Sequence, residues 1–247
     1  RFQVLEYLRA FLSGRVGWHV LHSMLIISGA FGMYKRSAII DAGGFNTKTV
    51  GEDMEATVRL HHYFRRHKKA YTVAFVPDSV AWTECPETLR ILGNQRDRWQ
   101  RGLMETMWLH KAMLLNPRFG RIGLFAYPYF FFLEMLGPVI EILGYLAFLI
   151  SFFLGIINPP FAIAFLTAAI LFGITLSITA VGLEEICFRR YPRLTDLLHL
   201  FYLAILENFG YRQMNAYWRM RGVYSKLRGK KGWGKMIRKG FTTEKSS

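Results

Sequence analysis

The sequence predicts an α/β layer followed by α-helical transmembrane and interfacial helices, and three observations predict it. Helical and strand-like patterns alternate over residues 1–115, which is typical of an α/β fold. Residues 142–183 contain no Asp, Glu, Lys or Arg, whereas about 20 apolar residues suffice to cross a bilayer. The formal net charge is +15, and much of it lies near the carboxyl end, where no acid occurs between Glu207 and Glu244.

Hydrophobic spacing and turn residues predict the elements of the α/β part. Phe2, Leu5 and Leu8 recur on one helical face, and Gly43 with Gly44 ends a later helical pattern. Glycines inside a strand-like run indicate a bulge or a close approach to the backbone. In chain order we expect a helix at 2–12, a strand at 24–34, helices at 35–42 and 52–67, strands at 71–76 and 80–83, and a long helix at 87–115.

The uncharged run predicts a membrane hairpin. Asn158, Pro159 and Pro160 form a turn signal that divides the run into two apolar segments. Each segment is long enough to cross a bilayer core of about 30 Å. We therefore expect spans at 137–157 and 161–183.

The helices that flank this hairpin are expected to lie at the membrane surface. The segment 122–136 carries Pro128 and Glu134, which favours an interfacial helix. The segment 194–217 is ambiguous, but a crossing there would separate the basic tail from Arg189 and Arg190. The positive-inside rule therefore favours an interfacial or re-entrant helix. The expected domains are 1–120, a membrane region at 121–218 and a basic cytoplasmic tail at 219–247.

The basic charge predicts a membrane partner. Lysines and arginines beside apolar spans favour contact with anionic lipid headgroups and mark a cytoplasmic segment. No recognised nucleic-acid motif accompanies the charge, so we expect no nucleic-acid partner.

Cysteines and histidines give no metal or disulfide pattern. Cys85 and Cys187 lie in different regions, which favours a reducing cytoplasmic face. His61, His62 and His67 have no carboxylate or cysteine partner at metal-ligand spacing, so we expect them to be solvated.

The strongest motif is Gln95-Arg96-Asp97-Arg98-Trp99, at the start of the expected long helix. Gln95, Arg98 and Trp99 fall at i, i+3 and i+4, so an amide, a guanidinium and an indole share one face. A guanidinium is suited to phosphate oxygens, and an indole offers a flat apolar surface with one N–H donor. This face can hold a diphosphate and stack a sugar, although Arg and Trp are also common on helices at a bilayer surface.

An acid cluster at the start of the expected helix at 52–67 supplies a candidate base. Gly51, Glu52 and Asp53 stand together, and Glu55 follows. Transfer of a sugar with inversion needs a base that deprotonates the acceptor hydroxyl, and Asp53 is the candidate. Acids in a first helical turn also stabilise the positive end of the helix dipole without any catalytic role.

Together these motifs resemble those of processive family 2 glycosyltransferases, and the chain resembles the C-terminal half of such an enzyme. Membrane-embedded synthases of cellulose, hyaluronan and poly-β-1,6-N-acetylglucosamine share the pattern. The likeness covers residues 2–120 densely and the membrane part loosely. The stretch Thr-Glu-Cys-Pro-Glu-Thr-Leu at 83–89 most resembles bacterial members close to the poly-N-acetylglucosamine synthases.

The resemblance implies a fold and a set of residue roles. Residues 1–120 would form part of a GT-A-like catalytic domain on the cytoplasmic side of a multi-pass protein of the inner membrane. Asp53 would be the catalytic base, with Glu52 and Arg96 in support. The implied ligand contacts are Gln95 and Arg98 for the donor diphosphate, and Trp99, Ser28, Gly29 and Ala30 for the acceptor.

The chain departs from the family pattern in one respect. Such enzymes hold Mg²⁺ or Mn²⁺ and the sugar nucleotide with an Asp-x-Asp motif, and these 247 residues contain none. We therefore expect the metal ligands and the nucleotide site in a missing N-terminal half or a separate subunit. The start at Arg1, within a helical pattern, also favours the later part of a longer protein.

The predicted function is inverting, processive transfer of a sugar from a UDP-sugar to a growing polysaccharide, coupled to export. One alternative is a non-catalytic membrane scaffold or degenerate paralogue that binds glycan or a partner subunit. Another is non-processive transfer to a lipid or a protein. The membrane hairpin after Trp99 favours processivity by family analogy.

Overall fold

The computed structural model describes residues 2–9, 14–27, 29, 31–76, 84–188, 193–230 and 232. Within these ranges the long regular elements are helices. They are α1 (Phe2–Tyr7), α2 (Gly14–Val20), α3 (Arg36–Asp41), α4 (Glu52–Arg66), α5 (Leu89–Leu109), α6 (Gly137–Phe153), α7 (Pro159–Phe188), α8 (Leu194–Leu206) and α9 (Tyr211–Leu227). Short 3₁₀ turns at Lys111–Met113 and Pro117–Phe119 follow α5.

The chain forms two compact units. The motif unit comprises Leu25–Ala70, Asp78–Tyr127 and Trp218–Ser247. The apolar unit comprises Arg1–Met24, Tyr71–Pro77 and Pro128–Tyr217. Both units draw on separated stretches of the chain, and the domain boundaries expected after residues 120 and 218 stay predictions.

The α/β class is not confirmed, because the described residues include no β-strand. The runs at 24–34 and 71–76 were expected to be strands, and they are irregular where the structure describes them. A strand exists only as part of a hydrogen-bonded ladder, and neither run has a strand partner among the described residues. The strand expected at 80–83 lies outside the described residues.

Local signals predicted the helices of the motif unit well. Helices α3 and α4 agree with the expected segments, and Gly43 and Gly44 follow α3 with φ of +96° and +78°, a conformation that glycine adopts without strain. Helix α5 begins after Thr88, whose hydroxyl accepts a hydrogen bond from the Ile91 N–H at 3.3 Å. Helix α5 ends at Leu109 and not at residue 115, because the chain tightens into a 3₁₀ turn there.

In the apolar unit, α1 and α8 pack together, and α8 also packs against α7. A buried cluster joins them: Leu5, Leu8, Val181, Leu200 and Ala204. Polar contacts accompany this packing. Arg9 forms an ion pair with buried Glu207 at 2.5 Å, Ser177 also contacts Glu207, and the Tyr211 hydroxyl donates to Glu6 at 2.7 Å.

One helix is long and apolar enough to cross a membrane by itself, namely α7 over Pro159–Cys187. Helix α6 has 17 residues, about 26 Å at 1.5 Å per residue, and reaches a spanning length only with the preceding segment Ile122–Met135. The two meet at a bend of 44°. The described helices therefore support one span, or two if this bent pair counts as one.

The expected flanking helices take forms that the sequence did not predict. The segment 122–136 is wound as π-helical turns at Ile122–Ala126 and Tyr129–Met135 on either side of Pro128, so the proline does not break it. The segment 194–217 is divided into α8 and α9. Helix α8 has 13 residues, about 20 Å, which is short of a bilayer core of about 30 Å.

Candidate functional site

A cavity of about 530 Å³ lies at the amino end of α4 in the motif unit. Its walls combine carboxylates, one guanidinium and apolar or aromatic groups. The lining residues are Gly29, Gly32, Tyr34, Arg36, Ile39, Ile40, Phe45, Glu52 and Asp53. A few polar groups among apolar walls are typical of a small-molecule site.

Asp53 is the second residue of α4 and lines this cavity next to Glu52. Its Oδ1 accepts a hydrogen bond from the Met54 N–H at 2.8 Å. A Cβ on Gly29 would lie 2.5 Å from Asp53 Oδ2, closer than any side chain tolerates. The structure therefore brings two of the predicted site residues into contact, and the approach depends on glycine.

Tyr34 is a cavity residue that sequence reasoning missed. Its ring packs edge-on against Phe45, with centroids 5.5 Å apart and an interplanar angle of 89°. Burial is the main cause that raises the pKa of Tyr34; the neighbouring Thr57 hydroxyl lowers this pKa, and the charge of Asp53 raises it. The phenol therefore stays protonated at neutral pH and can donate a hydrogen bond into the cavity. Tyr34 is one aromatic residue within an apolar run, so no motif marked it.

The face of α5 that bears Gln95, Arg98 and Trp99 lies towards the start of α4. Gly102 lies on the same helical face as Arg98 and Trp99, four and three residues further on. A Cβ on Gly102 would come within 3.0 Å of the Gly51 backbone, so the two helices touch there. One turn later, Glu105 accepts a hydrogen bond from the Val50 N–H at 2.9 Å. The motif face of α5 therefore lies against the segment that leads into the acid cluster.

The three motif side chains differ in exposure. Gln95 and Arg98 are 8% and 9% exposed, whereas Trp99 is 37% exposed. The Arg96 guanidinium lies 4.4 Å from the centre of the Trp99 ring, a cation–π contact that orients the indole. Gln95 Oε1 is buried and accepts no hydrogen bond from any residue that the structure describes.

The opposite face of α5 is held by the carboxyl half of α9. Asp97 is 4% exposed and lies at the centre of this contact. Its carboxylate pairs with Arg101 Nε at 3.0 Å, accepts from Ser225 Oγ at 2.9 Å and lies 3.5 Å from Arg221 Nε. A Cβ on Gly222 would lie 2.7 Å from the Asp97 carbonyl oxygen, so the helices are closely packed. Only the i, i+4 spacing of Asp97 and Arg101 was visible in the sequence.

Several basic residues of the tail are engaged within the motif unit. Arg219 donates to Gln100 Oε1 at 3.0 Å, and Lys226 pairs with Glu105 at 2.8 Å. Arg101 donates to the carbonyl oxygens of Lys230 and Gly232 at 3.4 and 3.2 Å. Part of the charge that was expected to meet lipid headgroups therefore ties this segment to α5.

Some sequence-based expectations lie outside these contacts. Ser28 and Ala30 fall outside the described residues. His61 was expected to be solvated, but it is 1% exposed because the inner face of α4 buries it. Among the described residues, no group of three or more His, Cys, Asp or Glu side chains is placed to hold a metal ion.

Comparison with known proteins gives a family match. The model of glycosyl transferase family group 2 matches residues 1–204. No solved structure matches the chain significantly.

Two kinds of relatives are similar to parts of the chain. The poly-β-1,6-N-acetyl-D-glucosamine synthase of Staphylococcus aureus (strain COL) is 35% identical over 81 residues, which are 33% of this chain and 18% of that protein. The probable glycosyltransferase YdaM of Bacillus subtilis (strain 168) is 31% identical over 119 residues, 48% of this chain and 26% of that protein. The aligned parts therefore span about a quarter or less of the length of these relatives.

Proposed function

The chain belongs to glycosyl transferase family group 2, and from this premise we propose that it takes part in inverting, processive transfer of a sugar from a UDP-sugar to a growing polysaccharide. The observation that carries the proposal is the contact of Gly29 with the Asp53 carboxylate inside the cavity at the start of α4. An acid placed in a cavity beside a face suited to diphosphate and sugar is what such a reaction requires.

Asp53 is the base in this proposal. It takes the proton of the acceptor hydroxyl while the acceptor oxygen forms a bond to the anomeric carbon of the donor sugar. The bond between that carbon and the diphosphate oxygen breaks, and UDP leaves with the bonding electrons. Attack from the face opposite the leaving group inverts the anomeric configuration. Glu52 lines the same cavity as a supporting residue.

The α5 face stabilises the leaving group and the acceptor in this proposal. Arg98 is a planar, permanently charged donor, and its burial strengthens its interaction with a diphosphate. Gln95 offers an amide on the same face. Trp99 is partly exposed and oriented by Arg96, so it stacks against the acceptor sugar together with the glycine-containing segment at 28–30.

The donor and the location are proposed from the relatives and the helices. The name of the Staphylococcus aureus relative supports UDP-N-acetylglucosamine as the first donor to test, with UDP-glucose as the comparison. The apolar helix α7 supports a membrane location. We propose that this membrane is the inner membrane and that the motif unit lies in the cytoplasm, where the polymer is made before export.

The metal ion of the reaction requires ligands beyond those seen here. The described residues do not fit a Mg²⁺ or Mn²⁺ site, and the sequence has no Asp-x-Asp. We propose that the nucleotide and the metal are bound by an N-terminal half or a separate subunit. The chain described here supplies the base, the leaving-group face and the acceptor surface.

Incorporation of radiolabelled sugar tests the proposal. Membranes of cells that make the protein, with any polypeptide that completes the nucleotide site, are supplied with UDP-N-acetylglucosamine or UDP-glucose and Mg²⁺ or Mn²⁺. We expect a high-molecular-weight product that Asp53→Asn lowers about 100-fold to 10,000-fold, because a positioned base is lost. Asp41→Asn, an exposed acid of α3 outside the cavity lining, is the matched control.

The product distinguishes the alternatives. A labelled lipid or protein of low mass would contradict polymer synthesis and indicate non-processive transfer. Full activity of Asp53→Asn would remove Asp53 from the role of base. Absence of product with every nucleotide sugar, from intact protein in the membrane, would favour a scaffold that binds glycan without catalysis.

A further inference from the structure

A second, smaller cavity lies on the carboxyl half of α4 and is not used by the proposed transfer. Its volume is about 150 Å³. It is lined by Arg59, His62, Tyr63, Arg66 and His67, with Ala42 after α3 closing one side. The residues of α4 fall at i, i+3, i+4, i+7 and i+8, so they form one continuous helical face. Two guanidinium groups and two imidazole rings thus surround a cavity that no carboxylate lines.

From this arrangement we propose that the cavity binds a phosphate group, carried either by a free phosphate compound or by an anionic lipid headgroup. Guanidinium groups are suited to phosphate oxygens, and imidazole N–H groups can add further donors. The volume exceeds that of one water, about 30 Å³, and admits one tetrahedral anion but no nucleoside. The rest of a larger ligand would therefore extend out of the cavity.

The positive charge of the cavity is only partly balanced within the chain. Arg59 pairs with Glu55 at 2.9 Å, but its Nε is buried and has no hydrogen-bond acceptor among the described residues. Arg66 is exposed and has no ion pair or hydrogen bond to any residue that the structure describes. A dianion bound in the cavity would balance the charge of the Arg66 guanidinium and add to the balance that Glu55 gives Arg59.

The helix dipole alone does not account for this cluster. Basic residues in the last turn of a helix stabilise its negative end, and this accounts for Arg66. The effect falls off within one turn, whereas Arg59 lies two turns from the end of α4. A cost is also visible at His62, whose pKa is lowered by burial first and then by the charges of His110 and Arg66. Such repulsion is relieved when an anion binds.

Binding of inorganic phosphate to the full chain in detergent, measured by equilibrium dialysis with ³²P, tests the proposal. We expect saturable binding that Arg66→Gln weakens about 10-fold or more, because one charge-assisted contact is lost. Lys48→Gln removes the same charge from an exposed site outside the cavity and should leave binding unchanged. His67→Gln is a second variant at an exposed position of the cavity lining, and it should also weaken binding because an imidazole is lost.

A vesicle arm separates the two sources of the phosphate group. The wild type, Arg66→Gln and Lys48→Gln are sedimented with phosphatidylcholine vesicles, with and without phosphatidic acid. Binding to phosphatidic acid that Arg66→Gln weakens and Lys48→Gln does not, without saturable binding of inorganic phosphate, identifies a headgroup. Saturable binding of inorganic phosphate with the same pattern identifies a free compound. Absence of both, or equal weakening by the two variants, overturns the proposal.

The pH dependence of sulfate affinity tests whether the histidines of the cavity bind the anion or have only a structural role. The charge of sulfate is constant between about pH 5 and 8, so changes in its affinity report on the histidines. His62 faces His110 and Arg66, and His110 in turn contacts Glu55 at 3.0 Å. Because the lowered pKa keeps His62 neutral near pH 7, a bound dianion favours its protonation as the pH falls. We expect sulfate affinity to rise on acidification and this rise to shrink in His62→Gln; an identical rise in His62→Gln would contradict it.

Discussion

At the scale of single residues, the candidate site depends on which side chains are absent as much as on which are present. Gly29 has no Cβ, and the Asp53 carboxylate occupies the space that a Cβ would take. Both residues were found from the sequence, because a glycine in an apolar run and an acid after Gly51 are local signals. Tyr34 and the contact of Asp97 with α9 were not predicted, because their partners come from segments distant in sequence.

Replacing Gly29 by alanine is expected to lower sugar transfer while the protein stays folded. The added Cβ would lie 2.5 Å from Asp53 Oδ2, so the carboxylate must move. A displacement of about 1 Å in a reacting group typically costs on the order of 100-fold. The measurement is kcat for incorporation of labelled sugar in membranes. Gly17→Ala, whose new Cβ would meet no atom within 4 Å, is the control; equal activity of both variants would show that Gly29 does not position Asp53.

Replacing Arg98 by lysine is expected to lower transfer about 10-fold to 100-fold, because an ammonium cannot reproduce a bidentate guanidinium contact with a diphosphate. Arg98 is buried, so the substitution also removes donors that no water replaces. Kinetics with UDP-N-acetylglucosamine should show the loss. Arg90→Lys, at an exposed position of the same helix, should leave the rate of transfer unchanged. An unchanged rate for Arg98→Lys would assign Arg98 to packing alone.

At the scale of elements, helices were predictable and their partners were not. The helices α3, α4 and α5 follow from spacing, glycine stops and the cap at Thr88, all of which act within a few residues. The strand-like runs have no such local signal, because a strand forms only with a partner strand, which the sequence pattern does not identify. Helix α2 was missed because its two glycines, Gly14 and Gly17, disfavour a helix on propensity alone.

The contact between α5 and α9 should appear as an energetic coupling between Asp97 and Ser225. Their hydrogen bond of 2.9 Å is buried, and Asp97 also neutralises buried Arg101. We expect Asp97→Asn and Ser225→Ala each to lower the thermal stability of the purified protein. The double variant should lose less than the sum, with a coupling of about 0.5–3 kcal/mol. Strict additivity would show that the two side chains do not stabilise the contact; Asp41→Asn is the exposed control.

At the scale of the whole molecule, the apolar helices and the charge distribution give different span counts. Helix lengths alone support one span, α7. With that span alone and the residues before it in the cytoplasm, the basic stretch after residue 211 would lie outside the cell. The positive-inside rule opposes this arrangement, because lysines and arginines stay on the cytoplasmic side. Counting Ile122–Met135 and Gly137–Phe153 as one bent span returns the basic stretch to the cytoplasm.

We therefore predict that the turn before α7 faces outward and that the start of α8 faces the cytoplasm. Labelling of single cysteines with a membrane-impermeant maleimide tests this, after Cys85 and Cys187 have been replaced by serine. Asn158→Cys should react in intact cells. Thr195→Cys, at an exposed position of α8, should react only after the membrane is opened, because one span separates the two sites. The reverse pattern would leave α7 as the one crossing. That result would place the basic stretch outside, across the membrane from α5, so the contacts of α9 with α5, Ser225 with Asp97 and Lys226 with Glu105, could not form.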